Sequence, residues 1–377
     1  MVTPKIFIET LEQYGVDFFA GVPDSLLKNI CAYITDYCDK SHHIIVANEG
    51  GAVGLAAGYH LATGKTAMVY MQNSGEGNVV NPLLSLADED VYGIPMLLLI
   101  GWRGEPGVHD EPQHVKQGKV TLDLLNAMQI DYEVLADTDD EATKQIAKAA
   151  AYMKANSKPY ALVVRKRTFD EYKLQQNIDN LCPMSREQAI QIVVDKLRED
   201  DIVVSTTGMI SRELFEYREA KQQGHGHDFL TVGSMGHASQ IALGIALQKT
   251  NRRVFCFDGD GAMLMHMGSM AIVGEYSPKN MVHIVFNNGA HDSVGGQPTV
   301  GQQIDVEAIA KAVGYADVIS VDNPMALMAA MNHVNSAVID GVSLINVNVH
   351  KGNRKDLGRP TTTPKENKNA LMEELHK

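Results

Sequence analysis

The sequence predicts an α/β protein built from two similar domains, each folded around a parallel β-sheet. Its 377 residues are too many for one small core and suit two domains of about 180 residues each. Short apolar runs alternate along the chain with longer segments of helical period, which is typical of β–α–β units. Both halves also close in the same way, with an apolar strand that runs into basic residues at positions 162–167 and 345–351.

Each half supplies apolar runs of strand length. The predicted strands are residues 17–21, 44–47, 66–71, 96–100 and 161–164, then 202–205, 229–232, 254–257, 281–286 and 344–349. Helices are predicted at residues 49–63, 141–156 and 185–199, the last of which opens with a capping box of Ser185 and Gln188. Apolar periodicity is lost near residues 170–184. We therefore place the domains at residues 1–175 and 183–360, and we expect the polar tail, from residue 352 onward, to lie over the surface.

The composition excludes several classes of function. A net charge of −13 argues against a general surface for nucleic acid or anionic membrane, since either needs a basic field. No apolar run reaches the length of a transmembrane helix, and the N-terminus lacks the features of a secretory signal. The four cysteines lie far apart and form no CxxC pair, so their spacing predicts neither a disulfide framework nor a zinc site. We expect a cytoplasmic protein with no nucleic-acid or membrane partner.

Polar residues follow two predicted strands in the second half. Asp258-Gly259-Asp260-Gly261-Ala262 comes after the strand at 254–257, and Asn287-Asn288 comes after the strand at 281–286. Open α/β sheets bind ligands at the carboxyl ends of their strands. Asp and Asn oxygens suit Mg²⁺, which draws further oxygen ligands from phosphates, and the glycines let backbone N–H groups approach a diphosphate. The pattern therefore predicts a metal-assisted diphosphate site.

This motif resembles the diphosphate-binding sequence of the thiamine diphosphate-dependent enzymes: Gly259-Asp260-Gly261, 25 intervening residues, then Asn287-Asn288. A dinucleotide-binding protein, the rival interpretation, would carry a GxGxxG fingerprint, which this segment lacks. The resemblance implies that the cofactors are thiamine diphosphate and Mg²⁺. It implies that the metal is held by Asp260, the Asn288 side chain and the Ala290 carbonyl, and that Gly259, Gly261 and Ala262 contact the cofactor.

Two further segments match the family. The resemblance assigns Met235 to an apolar wedge beneath the cofactor and the Gly233 carbonyl to the cofactor's amino group. It assigns Glu49, which follows the predicted strand at 44–47, to the glutamate that hydrogen-bonds the aminopyrimidine. Without the resemblance, Met235 would be an ordinary core residue and Glu49 a helix N-terminal acid that interacts with the helix dipole.

The resemblance covers nearly the whole chain and implies the thiamine diphosphate-binding fold in both domains. The middle domain of larger members has no room here, so the chain resembles the two-domain phosphonopyruvate and sulfopyruvate decarboxylases. The implied activity is decarboxylation of 3-phosphonopyruvate to phosphonoacetaldehyde and CO₂ through a thiamine diphosphate ylid. Sulfopyruvate decarboxylation and a non-catalytic, cofactor-binding relative are the alternatives. The stretches that support this resemblance are residues 21–27, 101–107, 111–114, 295–299 and 354–361.

One departure from the larger decarboxylases concerns acid–base catalysis. They place a glutamate six residues after the metal-binding asparagine, and here that position is Val294. Asp24 and His114 are therefore the candidates to protonate the reaction intermediate, with His291 as a further option. Each has an ordinary alternative, because Asp24 follows Pro23 in a turn and either histidine could be a hydrogen-bonded loop residue.

The last expectations concern the residues that bind the substrate and the oligomeric state. A phosphonate needs charge-assisted donors, and the arginine fork matches its oxygens best. Two groups of basic residues could supply them: the first contains Arg103, and the second, in the tail, contains Arg354 and Arg359. The alternative is that these are ordinary surface residues whose charges face solvent, as most arginines and lysines are. The family resemblance also implies a homo-oligomer that acts on a small 2-oxo acid, with active sites between subunits.

Overall fold

The computed structural model describes residues 1–175 and 182–377, which form two compact units. The first unit contains the described residues up to 175 together with Val294–Gln297, and the second contains the remainder. The predicted domain boundary, between residues 175 and 183, falls on positions outside the described residues and stays a prediction.

The first unit is a parallel sheet flanked by helices. Its strands are β1 (Val16–Gly21), β2 (His43–Ile45), β3 (Thr66–Gln72), β4 (Met96–Gly101), β5 (Asp131–Val134) and β6 (Tyr160–Val164). They lie in the order β2-β1-β3-β4-β6-β5, and neighbouring strands run parallel. The helices are α1 (Pro4–Gln13), α2 (Lys28–Tyr37), α3 (Glu49–Thr63), α4 (Glu76–Pro82), α5 (Pro112–Ala127) and α6 (Asp139–Asn156).

Both faces of this sheet are buried, as β4 illustrates. Leu97 and Leu99 belong to one hydrophobic core, and Leu98 and Ile100 belong to another. Successive strand side chains point to opposite faces, so a continuous apolar run fills two cores at once. This explains why the central strands appear in the sequence as uninterrupted apolar segments.

The second unit has the same construction. Its sheet begins with β7 (Ile202–Ser205), β8 (Asp228–Leu230), β9 (Val254–Gly259) and β10 (Met281–Asn287). Two two-residue strands outside this sheet follow along the chain, β11 (Ala290–His291) and β12 (Gln297–Pro298). The sheet is completed by β13 (Asp317–Val321) and β14 (Ser343–Asn348). The order is β13-β14-β10-β9-β7-β8, again with parallel neighbours. The helices are α7 (Arg186–Val194), α8 (Met209–Lys221), α9 (Ala238–Gln248), α10 (Asp260–Met265), α11 (Gly268–Tyr276), α12 (Val306–Ala312), α13 (Pro324–Ser336) and α14 (Pro364–Leu375).

The two six-stranded sheets share one topology. When strands are numbered within each unit, both sheets read 2-1-3-4-6-5. This confirms the predicted pair of similar parallel-sheet domains. In each sheet the first strand lies between the second and the third, so the order in which strands are added across the sheet reverses there. Such a switch point opens a crevice at the carboxyl ends of the strands. The loops after β1, β2 and β3, and after β7, β8 and β9, are therefore placed for ligand binding.

The ten predicted strands are all present, and of the strands in the two six-stranded sheets the sequence missed β5 and β13. Each of these is the last strand at one edge of its sheet. No side chain of β5 is fully buried, and in β13 only that of Val321 is. An edge strand is covered less than a central one, so neither segment carries the apolar run that marked the others.

The predicted helices differ in accuracy. α3 covers the predicted residues, and the Asn48 side chain caps it by accepting the Gly50 N–H at 2.9 Å. α7 is shorter than predicted, and Ser185 accepts the Gln188 N–H at 3.0 Å, which is one half of the predicted capping box. Among the described residues, no helix combines the length and apolar character that a membrane span requires.

The C-terminal tail was expected only to lie over the surface, but it also forms a helix, α14. A capping box of Thr363 and Glu366 opens α14. The Asn367 amide then accepts the Leu230 N–H at 3.0 Å and donates to the Asp228 carbonyl at 2.8 Å. Asn367 thus supplies hydrogen-bond partners to the edge strand β8, as a neighbouring strand would.

Candidate active site

Asp260 lies at the start of α10, directly after β9, and is only 2% exposed. The Thr299 hydroxyl and the Asn288 backbone N–H donate to its carboxylate. Burial is the largest influence and raises the pKa of Asp260 to about 6 in spite of these donors. A buried carboxylate of this kind is one that a divalent cation would stabilise.

Asn287, the last residue of β10, packs against the loop that contains Gly301. Its Nδ2 donates to the Gly301 carbonyl at 2.7 Å. A Cβ on Gly301 would lie 2.7 Å from the Asp260 Oδ2 and 2.8 Å from the Asn287 Oδ1, so a side chain does not fit there. Sequence reasoning did not single out Gly301 or Thr299 as parts of this site, because both are remote from Asp260 along the chain.

Asn288 is held by a different set of partners. Its Oδ1 accepts the Ala290 N–H at 3.0 Å, and its Nδ2 donates to the Asp292 carboxylate at 2.7 Å. Asp292 also accepts from Arg186 Nη1 at 3.3 Å, and Arg186 forms a two-point buried ion pair with Glu213. This charge network orients the Asn288 side chain, and no pattern in the sequence indicates it.

The oxygens at this end of the sheet fit Mg²⁺. They combine one buried carboxylate, at Asp260, with the amide oxygen of Asn288 and nearby backbone carbonyls, and Mg²⁺ prefers such hard donors. Gly259 ends β9, and Gly261 and Ala262 lie in the first turn of α10. Which of these residues hold the metal and the diphosphate stays a prediction.

The turn at residues 233–236 brings Met235 to the same region. Gly233, Ser234 and Gly236 all have positive φ, so the turn is tightly coiled. A Cβ on Gly261 would lie 3.3 Å from the Met235 Cε. The half-buried Met235 side chain therefore lies against the glycine turn that follows β9, which is compatible with the predicted wedge.

Glu49, the first residue of α3, is the main candidate in the first unit. Its side chain is 4% exposed, and Asn78 Nδ2 donates to its Oε2 at 2.7 Å. Burial raises the pKa of Glu49, and the hydrogen bond from Asn78 offsets part of that rise. A Cβ on Gly75 would lie 2.5 Å from the Glu49 Oε1, so this glycine leaves room for the carboxyl.

Glu76 is a second buried acid that sequence reasoning missed. It begins α4, is 2% exposed, and has an Oε1 with no hydrogen-bond partner among the described residues. Burial raises its pKa to about 8, although Thr121 contributes a hydrogen bond. In the sequence, nothing in the glycine-rich run at residues 73–78 marked this glutamate as a buried acid.

Asp24 follows β1 and is completely buried. Gln72 Nε2 donates to its Oδ1 at 2.5 Å, and the Leu26 N–H donates to its Oδ2 at 2.9 Å. Burial raises its pKa, although these hydrogen bonds and the positive charge of Arg103 each lower it. The carboxyl is thus an acid with a displaced pKa at the switch point of the first sheet, not a solvated turn residue.

His114 lies in the first turn of α5 and is buried. Burial, and then the positive charge of Arg103, lower its pKa to about 4. Its Nδ1 has no hydrogen-bond partner among the described residues. The imidazole is therefore neutral at physiological pH and retains one unsatisfied ring nitrogen.

The predicted substrate arginines already contact acidic residues. Arg103 makes a two-point pair with Asp110, at 2.8 Å through Nε and 2.5 Å through Nη2, and Nη1 donates to Ser25. Arg354 pairs with Glu187, Glu216 and Asp356. Arg359 is an exposed residue. These pairings reduce the positive charge that Arg103 and Arg354 could offer to a phosphonate. A role in substrate binding stays a prediction for all three arginines.

Comparisons with known proteins agree with this architecture. The N-terminal binding-domain model of the thiamine pyrophosphate (thiamine diphosphate) enzymes matches residues 1–127, and the C-terminal one matches residues 206–347. Phosphonopyruvate decarboxylases from Streptomyces viridochromogenes and Streptomyces hygroscopicus are 34% and 33% identical to this chain. Each alignment covers 97% of the chain, with 93% and 92% of the relatives. A sulfopyruvate decarboxylase from Methanosarcina acetivorans is 28% identical over 92% of the chain and 91% of that protein.

Both matched ranges contain a candidate site described above. Glu49 falls in the N-terminal range, and Asp260 falls in the C-terminal range. The alignments with the relatives extend over nearly the whole chain and so include both units. The chain therefore belongs to the thiamine diphosphate-dependent enzymes, as a 2-oxo acid decarboxylase whose cofactors are thiamine diphosphate and Mg²⁺.

Proposed function

We propose that this enzyme decarboxylates 3-phosphonopyruvate, releasing phosphonoacetaldehyde and CO₂. The observation that carries the proposal is the nearly full-length similarity to two phosphonopyruvate decarboxylases, which exceeds the similarity to the sulfopyruvate enzyme. Sulfopyruvate is the second candidate substrate, because a sulfonate differs from a phosphonate mainly in charge and in one protonatable oxygen.

The second unit holds the charged end of the cofactor. Asp260, the Asn288 side chain and the Ala290 carbonyl bind Mg²⁺, and the glycine turn after β9 contacts the diphosphate. The raised pKa of Asp260 supports this assignment, because the metal replaces a proton on a carboxyl that burial has made costly to ionise. Met235 supports the cofactor from the turn at residues 233–236.

When bound, thiamine diphosphate supplies the nucleophilic carbon that attacks the 2-oxo group and the electron sink that accepts the pair left by CO₂. Glu49 holds a proton at the aminopyrimidine edge of the cofactor. Burial raises its pKa, so the carboxyl can hold and return a proton closer to neutral pH than an exposed glutamate could. Gly75 and Asn78 fix where that carboxyl lies.

A proton must also reach the carbon that CO₂ leaves, and Asp24 is the better of the two predicted donors. Burial moves its pKa upward, toward the working pH. His114, with a pKa of about 4, is neutral at that pH and serves as a hydrogen-bonding group that positions the substrate. Asp24→Asn should lower kcat by about 10²–10⁴-fold, whereas His114→Gln should act mainly on KM.

Arg103, Arg354 and Arg359 are the candidate phosphonate-binding residues. A residue that binds the phosphonate discriminates between substrates, whereas a structural residue does not. Arg359→Ala should raise KM for phosphonopyruvate and leave the low activity on pyruvate unchanged. The same comparison with Arg103→Ala and Arg354→Ala separates substrate binding from the ion pairs with Asp110, Glu187 and Glu216.

The active form is a homo-oligomer in which Glu49 of one subunit serves the cofactor held by Asp260 of another. This arrangement follows from the family resemblance. Mixing inactive Glu49→Gln protein with inactive Asp260→Ala protein should restore part of the activity once subunits exchange. A fully active monomer in sedimentation at the assay concentration would contradict it.

The deciding experiment is reconstitution with thiamine diphosphate and Mg²⁺, followed by CO₂ release from phosphonopyruvate, sulfopyruvate and pyruvate. We expect the highest kcat/KM with phosphonopyruvate. The control is Glu49→Gln, which should bind the cofactor normally but release little CO₂. Faster turnover of sulfopyruvate would move the assignment to the second candidate, and cofactor binding with no turnover of any substrate would refute a catalytic role.

A further inference from the structure

Cys256, Asp258 and His283 form a buried cluster on one face of the second sheet. Cys256 and Asp258 lie two residues apart on β9, so their side chains point to the same face. His283 on β10 is the register partner of Cys256. Their exposures are 0%, 1% and 0%, respectively. Adjacent parallel strands thus place a thiol, a carboxylate and an imidazole side by side without solvent.

The geometry of this cluster suits a bound cation better than a set of hydrogen bonds. One potential ligand atom from each residue lies within 4.8 Å of the other two, and His283 Nε2 lies 3.4 Å from Asp258 Oδ2. Nε2 nevertheless has no hydrogen-bond partner among the described residues. An unsatisfied, fully buried ring nitrogen is costly, and here it lies next to two further potential ligands.

We propose that Cys256, Asp258 and His283 bind a transition-metal dication, with Zn²⁺ as the best match. Three atoms that lie within 4.8 Å of one another have a common point no more than about 2.8 Å from each, so small side-chain movements reach the 2.0–2.3 Å bonds of zinc. Mixed thiolate, imidazole and carboxylate ligands favour Zn²⁺ over Mg²⁺. The Cys256 thiol releases its proton to bulk solvent as the metal binds.

Charge balance and the neighbouring tyrosine support the same assignment. A thiolate and a carboxylate together neutralise a dication, so the complete site places no net charge in the hydrophobic core. The Tyr315 hydroxyl lies 2.9 Å from His283 Nδ1, on the opposite side of the ring from Nε2. Metal-bound histidines commonly hydrogen-bond through their second nitrogen in this way, which fixes the ring orientation.

The role of this site is structural. It links β9 to β10, the two strands whose carboxyl ends lead to Asp260 and Asn288. The cysteine spacing did not reveal it, because its ligands come from two strands and only one of them is a cysteine. It is also independent of the proposed Mg²⁺ site, whose ligands are all oxygens.

The test is the metal content of the full chain, expressed in zinc-supplemented medium and separately in cobalt-supplemented medium. We expect about one Zn²⁺ per chain by mass spectrometry, and a thiolate-to-Co²⁺ charge-transfer band in the cobalt protein. Cys256→Ser and His283→Gln should both lose the metal and the band. Cys31→Ser, which changes a buried thiol in the first unit, should keep both.

A second control separates this proposal from the proposed function. Asp260→Ala should keep its zinc while losing Mg²⁺-dependent cofactor binding. The result that overturns the proposal is wild-type protein with no zinc and no cobalt band after growth in the supplemented media. Asp258 and His283 would then be only neighbouring buried side chains. Equal zinc content in the wild type and both ligand variants would overturn it as well, because the metal would then be bound elsewhere.

Discussion

Gly75 is the residue whose substitution most directly tests the position of Glu49. It ends the 3₁₀ turn Asn73–Gly75, and a Cβ there would lie 2.5 Å from the Oε1 and 2.6 Å from the Cδ of Glu49. The φ of Gly75 is −75°, which alanine adopts without strain. Gly75→Ala therefore acts through this one contact and must displace the Glu49 carboxyl.

The size of the effect follows from that displacement. Restoring an ordinary contact distance moves the carboxyl by about 1 Å, and a misplacement of that size at a reacting group costs about 10²-fold in rate. It also lengthens the 2.7 Å hydrogen bond from Asn78. Overpacking a buried site costs about 1–3 kcal/mol, so the variant should fold but melt at a lower temperature.

Gly77→Ala is the matched control. Gly77 lies two residues further on, inside α4, and a Cβ on it meets no atom within 4 Å. Alanine is favoured over glycine in a helix by up to about 1 kcal/mol, so this variant should keep wild-type turnover and melt slightly higher. Steady-state CO₂ release and thermal unfolding by circular dichroism measure both. If Gly75→Ala turns over as fast as Gly77→Ala, the position of Glu49 does not set the rate.

Three further predictions concern the second unit. Burial raises the pKa of Asp260 from 3.8 to about 6, so the folded state takes up a proton as the pH falls through this range. The cofactor-free enzyme should therefore gain about 1 kcal/mol of stability from pH 8 to pH 5. Asp260→Asn should lack this gain in urea titrations at the two pH values, and an identical pH response in both proteins would disprove the shift. Asp292→Ala should weaken Mg²⁺ binding about 10–100-fold in calorimetric titrations, because Asn288 loses the carboxylate that orients it, and unchanged affinity would exclude that role. Asn367→Leu should lower the free energy of unfolding by about 2–3 kcal/mol, since two backbone groups of β8 lose their partner, and wild-type stability would contradict this.

The sequence predicted the parts of the fold and site that depend on local pattern. Central strands are buried on both faces, so they appear as apolar runs, whereas the edge strands β5 and β13 do not. Asp260 and Asn288 were predicted because their spacing follows from two adjacent strands. Asp292, Thr299 and Gly301 were missed, because only the folded loops bring them to the same place.

Charge partners were the least predictable feature. Arg103 and Arg354 were predicted as phosphonate donors from their positive charge and the geometry of the guanidinium group. In the fold each is paired with acidic residues, Arg103 with Asp110 and Arg354 with Glu187 and Glu216. Nothing in the sequence indicates which carboxylate an arginine meets, because the pairing depends on loop and helix positions that periodicity does not determine.

The two units apply one physical effect to different chemistry. Glu49 follows the second strand of its unit and Asp260 the third, so both lie at carboxyl ends of equivalent sheets. Burial raises the pKa of each. At Glu49 the raised pKa is useful in itself, because the proposed role needs a carboxyl that holds and returns a proton. At Asp260 it is useful only through the metal, which binds the ionised form and offsets the cost of burying it. A duplicated sheet can therefore supply both an acid–base group and a metal ligand, because the neighbouring loops determine whether a buried carboxyl keeps its proton or exchanges it for a cation.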